Sequence, residues 1–398
     1  MDSQASTPAD RAPAARNFIS YCLAFLVLGL TTASLGPALP TLARNTVSSL
    51  AQISALFAFH RLGYMLGALG GGRLFDRLRG NLLMGGSLLL AAVGLGVLPL
   101  VSLRWLLFLV LFAVGLGESV MDVGGNVLLV WWFRRRVGPY MNGLHFFFGL
   151  GAFFAPLLIT WSVLDHGSLV RGYWLICLIA FPNALWLLRL PAPPRPGSVG
   201  AGRADGEPAA NRLLPVLFML FFLLFVSAEV SYGDWLYTYT LTRNLAPERT
   251  AGLLTSAYWG ALTAGRLASV PLAARLRPKT LLWADLAGCV LSLLVLLVWP
   301  GSLPAAWIGS VGLGLFMASI FPTSFTLAGE SLSLSGRDTG LFLVGGSAGG
   351  IALPWIIGQL FAPLGPGTVI VAVLSVVLAA FVLLKIITRV TAQAGKTA

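Results

Sequence analysis

Glu118, Asp122 and Asn126 recur at four-residue intervals inside one strongly apolar stretch, GLGESVMDVGGN. At about 100° per residue on a helix they drift only about 80° and form a single polar stripe. Two carboxylates one turn apart repel when both are ionised, so such a pair takes up a proton or attracts a cation. Gly124 and Gly125 leave room beside the stripe. A charge at the centre of a spanning helix costs about 2.5–3.5 kcal/mol, which makes each of these residues a functional candidate. Asp122 and Glu118 are expected to couple solute movement to sodium or a proton, with Asn126 contacting solute. The competing reading is a hydrogen bond between helices.

Other polar residues in apolar surroundings extend this set. His145, Gly149, Ala152 and Pro156 share one helical face, so His145 either lines a cavity beside Asn126 or bonds a neighbouring helix. Arg61, next to His60, needs a carboxylate, for which Glu118 or Asp122 is expected. Arg266 is read as structural, with Asp285 as partner for it or for Arg275. The run SAEVSYGDWLYTYT carries Glu229, Tyr232 and Trp235, and Tyr258 and Trp259 follow downstream. Aromatic faces beside hydrogen-bonding groups suit sugars and also amphipathic drugs. An interfacial aromatic belt explains Trp235 equally well. Thr323 follows Pro322, which frees a backbone carbonyl and allows bending.

The elements that position these residues must be membrane helices. Of the 398 residues 57% are hydrophobic and 10% charged, and mean hydropathy is +0.86. Soluble chains are about 45–50% apolar and about 25% charged. Twelve stretches are long enough to span a bilayer: 17–41, 50–74, 80–101, 105–131, 138–163, 169–190, 213–241, 250–274, 280–299, 304–329, 338–363 and 366–388. The first is too long for a signal-peptide core and is read as a retained helix. With both termini in the cytoplasm, inner segments hold 19 Lys and Arg and outer segments 5, a strong orientation signal. The net charge of +12 is thus explained by membrane orientation and lipid contact, and no nucleic acid partner is expected. Cys22, Cys177 and Cys289 sit in apolar runs without ligand spacing, and His60, His145 and His166 show none either. No metal site, no catalytic residue and hence no enzyme is expected, and no cofactor beyond a bound sodium ion. Nothing indicates an oligomer, so a monomer in the cell membrane is expected.

The chain also repeats. Residues 1–16 form a tail, 17–190 and 213–388 hold six spans each, 191–212 form a Pro- and Gly-rich cytoplasmic linker, and 389–398 end the chain. Gly151 and Pro156 match Gly349 and Pro354 at an offset of 198, as Arg77-Leu78-Arg79 matches Arg275-Leu276-Arg277. Gly115-Leu116-Gly117 matches Gly312-Leu313-Gly314 at 197. Two parallel six-helix bundles imply a secondary transporter with its solute site at the midplane.

Between spans 2 and 3 lies GGRLFDRLRGN, in which Gly72, Asp76, Arg77, Arg79 and Gly80 resemble the G-x-x-x-D-R-x-x-G/R signature of the major facilitator superfamily. Physically it is a latch: Gly72 allows close helix approach, and Asp76 and Arg77 form charge pairs that hold one access state. The stretch DVGGN…WW…NGLHFFFGLGAFFAPLL further resembles the fucose permease branch, and the sodium-dependent glucose transporter group within it. The resemblance implies an all-α fold of twelve transmembrane helices in two pseudo-symmetric bundles. It also implies alternating-access transport of a monosaccharide with a coupling cation, the family's acid falling on Asp122, its next polar residue on Asn126 and the polar residue of span 5 on His145. The first span carries no acid, which departs from the proton-coupled fucose permeases. A drug or lipid exporter of the same fold is the alternative. Exporters often show G-P-x-x-G-G in span 5, where this chain has Ala155-Pro156-Leu157-Leu158.

Overall fold

The computed structural model describes residues 8–134, 137–193, 213–332 and 336–397, and these are all-α. The helices are α1 (Pro8–Asn45), α2 (Leu50–Ile53), α3 (Ala55–Arg77), α4 (Gly80–Val97), α5 (Arg104–Phe133), α6 (Val137–His166) and α7 (Val170–Arg189). They continue with α8 (Leu213–Thr242), α9 (Glu248–Ala273), α10 (Pro278–Val298), α11 (Leu303–Met317), α12 (Ile320–Ser331), α13 (Gly336–Leu364) and α14 (Thr368–Thr397). Ser54 interrupts the α2–α3 crossing and Ala318-Ser319 the α11–α12 crossing, so the described helices make twelve crossings. Hydrocarbon leaves backbone amides no water to bond, and helices are the solution that satisfies them internally. Eleven of the described spans have the length and hydropathy to cross a membrane. The remaining crossing, α9, has 26 residues but is diluted by Glu248, Arg249, Arg266 and many small residues.

The chain divides into two compact units, Met1–Ser34 with Phe59–Ala201, and Leu35–Ala58 with Gly202–Ala398. In the first, α4 packs against α5 and α7; in the second, α13 lies along α8 and α11 along α9. The short α2 belongs to the second unit. A capping box between Ser49 and Gln52 starts it, and Gln359 of α13 donates to the Ala51 carbonyl at 2.8 Å.

The internal repeat is visible atom by atom. A Cβ on Gly151 would lie 2.1 Å from the Leu26 carbonyl oxygen, and one on Gly349 would lie 2.1 Å from that of Leu223. In both repeats the fifth crossing therefore touches the backbone of the first, as small residues allow in membranes. Left-handed residues also recur at helix ends: Val47 with φ 48° and Asn244 with φ 52°, and Gly167 with φ 66° and Gly365 with φ 80°. At the fourth crossing the register differs from the expected one. A Cβ on Gly115 would meet the His60 carbonyl oxygen at 2.0 Å, and one on Gly314 would meet that of Tyr258 at 2.5 Å. Gly115 thus corresponds to Gly314, not to Gly312. One Gly-Leu-Gly motif puts opposite members on its two neighbours, which identity of residues alone does not reveal.

Gly151→Val and Gly349→Val should each force α6 off α1 or α13 off α8, at about 1–3 kcal/mol or more. Gly86, with nothing within 4 Å of an added Cβ, should tolerate alanine. Thermal unfolding in detergent checks this; equal midpoints for all three variants would contradict the packing described.

Candidate functional site

In the first unit, α3 and α5 run in the same direction and approach closely at Gly115. A Cβ on Gly67 would stand 2.7 Å from the Leu116 carbonyl oxygen. This proximity stacks two residues of α3 on two of α5, each separated by one turn. His60 Nε2 lies 2.9 Å from Glu118 Oε2, and the Tyr64 hydroxyl donates to Asp122 Oδ2. Asn126 Nδ2 donates to Asp122 Oδ1 at 3.0 Å and to the Asp122 carbonyl at 2.9 Å. The stripe therefore has two characters. Glu118 is 1% exposed and His60 1%, whereas Tyr64, Asp122 and Asn126 are half-buried. Glu118 Oε1 is buried without a hydrogen-bond partner among the described residues.

Glu118 and Asp122, the alternative partners expected for Arg61, bond other groups: the first His60 and the second Tyr64 and Asn126. Tyr64 lies within electrostatic reach of Arg61. Sequence reasoning passes over His60 and Tyr64 as partners, although their four-residue spacing matches that of Glu118 and Asp122. His145 is exposed and sits edge-on to Phe25 with ring centroids 5.6 Å apart. Phe25 also lies under Gly125, whose Cβ would be 2.3 Å from its ring. Phe25 is thus the common neighbour of His145 and Gly125, whereas Gly124 faces Phe75. In the latch, Arg77 is exposed, and the surroundings of Gly72 and the side chain of Asp76 lie outside the described residues.

In the second unit Glu229 Oε1 accepts from Arg266 at 3.2 Å, so of the two partners expected for Asp285, Arg266 and Arg275, the first is corrected. Helix α9 turns Arg266 toward α8, while Asp285 on α10 accepts from Ser319 at the α11–α12 break. Three expected solute contacts have their polar atoms bonded within the bundle, and a fourth is buried. Tyr232 bonds Ser310 at 2.6 Å, Trp235 donates to the Pro354 carbonyl at 3.0 Å, and Tyr258 donates to the Glu229 carbonyl at 2.9 Å. Thr323 is buried on α12. Trp259 differs: its ring covers Gly233, and its buried Nε1 has no partner among the described residues. A cavity of about 510 Å³ opens elsewhere, among Tyr239, Arg243, Leu296, Leu360 and Val371, and meets none of the residues expected to bind solute or cation. The described residues hold no group of three or more His, Cys, Asp or Glu suited to a metal.

The Glu229–Arg266 pair yields a stability prediction. Arg266→Gln leaves a mostly buried carboxylate without its guanidinium, so it should lower the unfolding midpoint more than expected from its own area. A double-mutant cycle with Glu229→Gln should give a coupling of about 0.5–3 kcal/mol; strictly additive losses in thermal unfolding would contradict a direct pair.

Comparison with known proteins agrees with this architecture. The Major Facilitator Superfamily profile matches residues 21–354. Sodium-dependent glucose transporter 1 of Xenopus laevis is 33% identical over 359 residues, covering 83% of this chain and 73% of that protein. Sodium-dependent glucose transporter 1A of Mus musculus is 29% identical, covering 85% and 88% of the two chains. Among solved structures, the nucleoside transporter NupG superposes with a TM-score of 0.73 at 14% identity, covering 95% of this chain and 98% of that one. A bacterial homologue of the human lysosomal transporter Spinster gives a TM-score of 0.67 at 15% identity over 99% and 98%. At these identities the structures speak for the fold alone. With twelve helical crossings, an internal six-helix repeat and a family match across most of its length, the chain belongs to the Major Facilitator Superfamily of membrane transporters.

Proposed function

We propose that the chain moves a monosaccharide across the membrane by alternating access, coupled to a cation, with both termini in the cytoplasm. The observation that carries this reading is the half-buried trio of Tyr64, Asp122 and Asn126. An ionised carboxylate held by a phenol and an amide is an acceptor for sugar hydroxyls, and it keeps its orientation because both oxygens are already bonded. His145, exposed beside Phe25, supplies a ring nitrogen near the same helix, and Phe25 supplies an apolar face. The similarity to sodium-dependent glucose transporters supports a hexose as the first substrate to test. In the second unit, Trp259 has an indole N–H unbonded among the described residues and suited to a solute oxygen, with Glu229 and Arg266 as a described ion pair on α8 and α9.

Uptake of labelled glucose into vesicles of reconstituted protein tests the reading. A charged hydrogen bond is worth about 1.5–3 kcal/mol, so Asp122→Asn should lower coupled uptake about tenfold to a hundredfold while expression and unfolding midpoint stay intact. Unchanged uptake kinetics in that variant would remove Asp122 from the mechanism. Efflux of amphipathic dyes without sugar uptake would replace the sugar reading by the exporter one.

A further inference from the structure

The repeat supplies an internal control for the buried pair on α3 and α5. Gly115 and Gly67 hold α5 against α3, and Gly314 and Gly265 hold α11 against α9 through the corresponding backbone atoms. Carried across at these positions, His60 corresponds to Tyr258 and Glu118 to Met317. The contact is conserved in place: Tyr258 Oη lies 3.5 Å from Met317 Sδ, where His60 Nε2 lies 2.9 Å from Glu118 Oε2. The same helix approach is therefore built in the second repeat without a titratable pair. Packing does not require the charges of the first.

Those charges are costly where they stand. Both residues are 1% exposed, and Glu118 Oε1 is buried without a partner among the described residues. An ionised carboxylate with one unpaired oxygen in a buried, low-dielectric interior is unfavourable. A hard cation would seek several oxygens; here the partner of Glu118 is a ring nitrogen at hydrogen-bonding distance. The nearby oxygens of Asp122 are held by Tyr64 and Asn126. A proton fits all three facts. It is small enough for a closed site, it is added to Oε1 without breaking the His60 contact, and it cancels the charge that burial disfavours.

We infer that His60 and Glu118 are the proton-binding pair that couples solute transport to a proton gradient. The inference rests on the transport reading above and names its coupling ion. The pair carries one negative charge with His60 neutral and Glu118 ionised. Binding one proton brings it to zero, either as an imidazolium–carboxylate or as a neutral imidazole–carboxylic acid, and release on the other side of the membrane restores the negative charge. Tyr64 from α3, Asp122 from α5 itself and Tyr173 from α7 lie in electrostatic reach of Glu118, and Arg61 lies in reach of Tyr64. Ser34 of α1 backs Tyr173 at 3.3 Å; α4, packed on the other side of α5, carries no titratable side chain. The 2.9 Å contact between His60 Nε2 and Glu118 Oε2 lets the two side chains share or exchange a proton as a unit.

Two experiments test this. In the first, the wild type is reconstituted in vesicles with labelled glucose and given either an inward proton gradient or an inward sodium gradient. With one proton per solute, a gradient of one pH unit sustains up to about tenfold accumulation. Accumulation should follow the proton gradient and fall to about onefold in His60→Gln. Accumulation driven by sodium alone, or an undiminished proton response in His60→Gln, would overturn the inference. The second experiment needs no solute. Infrared difference spectra of purified protein across pH should show a buried carboxyl–imidazole titration in the wild type that is missing from Glu118→Gln and His60→Gln. Identical spectra in all three would overturn the inference even if no sugar is transported, whereas failure of glucose uptake alone counts against the sugar reading. The double variant His60→Tyr/Glu118→Met installs the neutral contact of the second repeat. It should keep a monodisperse, folded protein and lose both signals; its unfolding would mark the pair as structural and overturn the proposal.

Discussion

The close approach of α3 and α5 governs the chemistry of this molecule. Glycine at 115 lets one helix rest on the His60 carbonyl, and only at that separation do side chains one turn apart on each helix meet as rungs. Apolar helices gain nothing from hydrophobic attraction inside lipid, so they associate through backbone contact and interhelical hydrogen bonds. Both are present here at the same place. The glycine contact brings polar groups together in hydrocarbon, and those groups then satisfy one another.

The rungs are not equivalent. The Asp122 rung is half-buried and has one donor on each carboxylate oxygen, Tyr64 and Asn126, which orients it and leaves acceptor capacity. The Glu118 rung is closed and leaves one oxygen unpaired among the described residues, and the proposed mechanism gives it the proton. One helix turn thus separates a group suited to contact solute from a group suited to store charge. In the second repeat the same scaffold carries Tyr258 and Met317 at the buried rung, while an ion pair of that unit, Glu229 with Arg266, lies elsewhere on α8 and α9. The two repeats share their backbone contacts and differ in where they keep charge.

Much of this is legible in the sequence. Twelve apolar stretches, the clustering of Arg and Lys on one side and the offset of 198 lead to the helical bundle because membrane helices obey length and charge rules that need no tertiary information. The stripe of Glu118, Asp122 and Asn126 is legible for the same reason, since periodicity places residues on a helix. Partners are another matter. Periodicity does not say which face of a neighbouring helix turns inward, so Arg61 stands out by its charge while His60 and Tyr64 do the pairing. Asp285 and Arg266 go astray likewise: opposite charges suggest a pair, but α9 turns the arginine toward Glu229. Tyr232, Trp235 and Tyr258 look like solute contacts by type, and their polar atoms are bonded inside the bundle. Even the repeat misleads locally, because in Gly-Leu-Gly either glycine can serve as the contact.

The account depends on the half-buried end of the α5 stripe being reachable by water and solute. Thiol accessibility at that end tests it most directly. In a background of Cys22→Ala, Cys177→Ala and Cys289→Ala, the variant Asn126→Cys is exposed to a charged, membrane-impermeant thiol reagent in open membranes, with and without glucose. The account predicts labelling at this position that glucose slows. An inert cysteine, or labelling that glucose leaves unchanged, would contradict it.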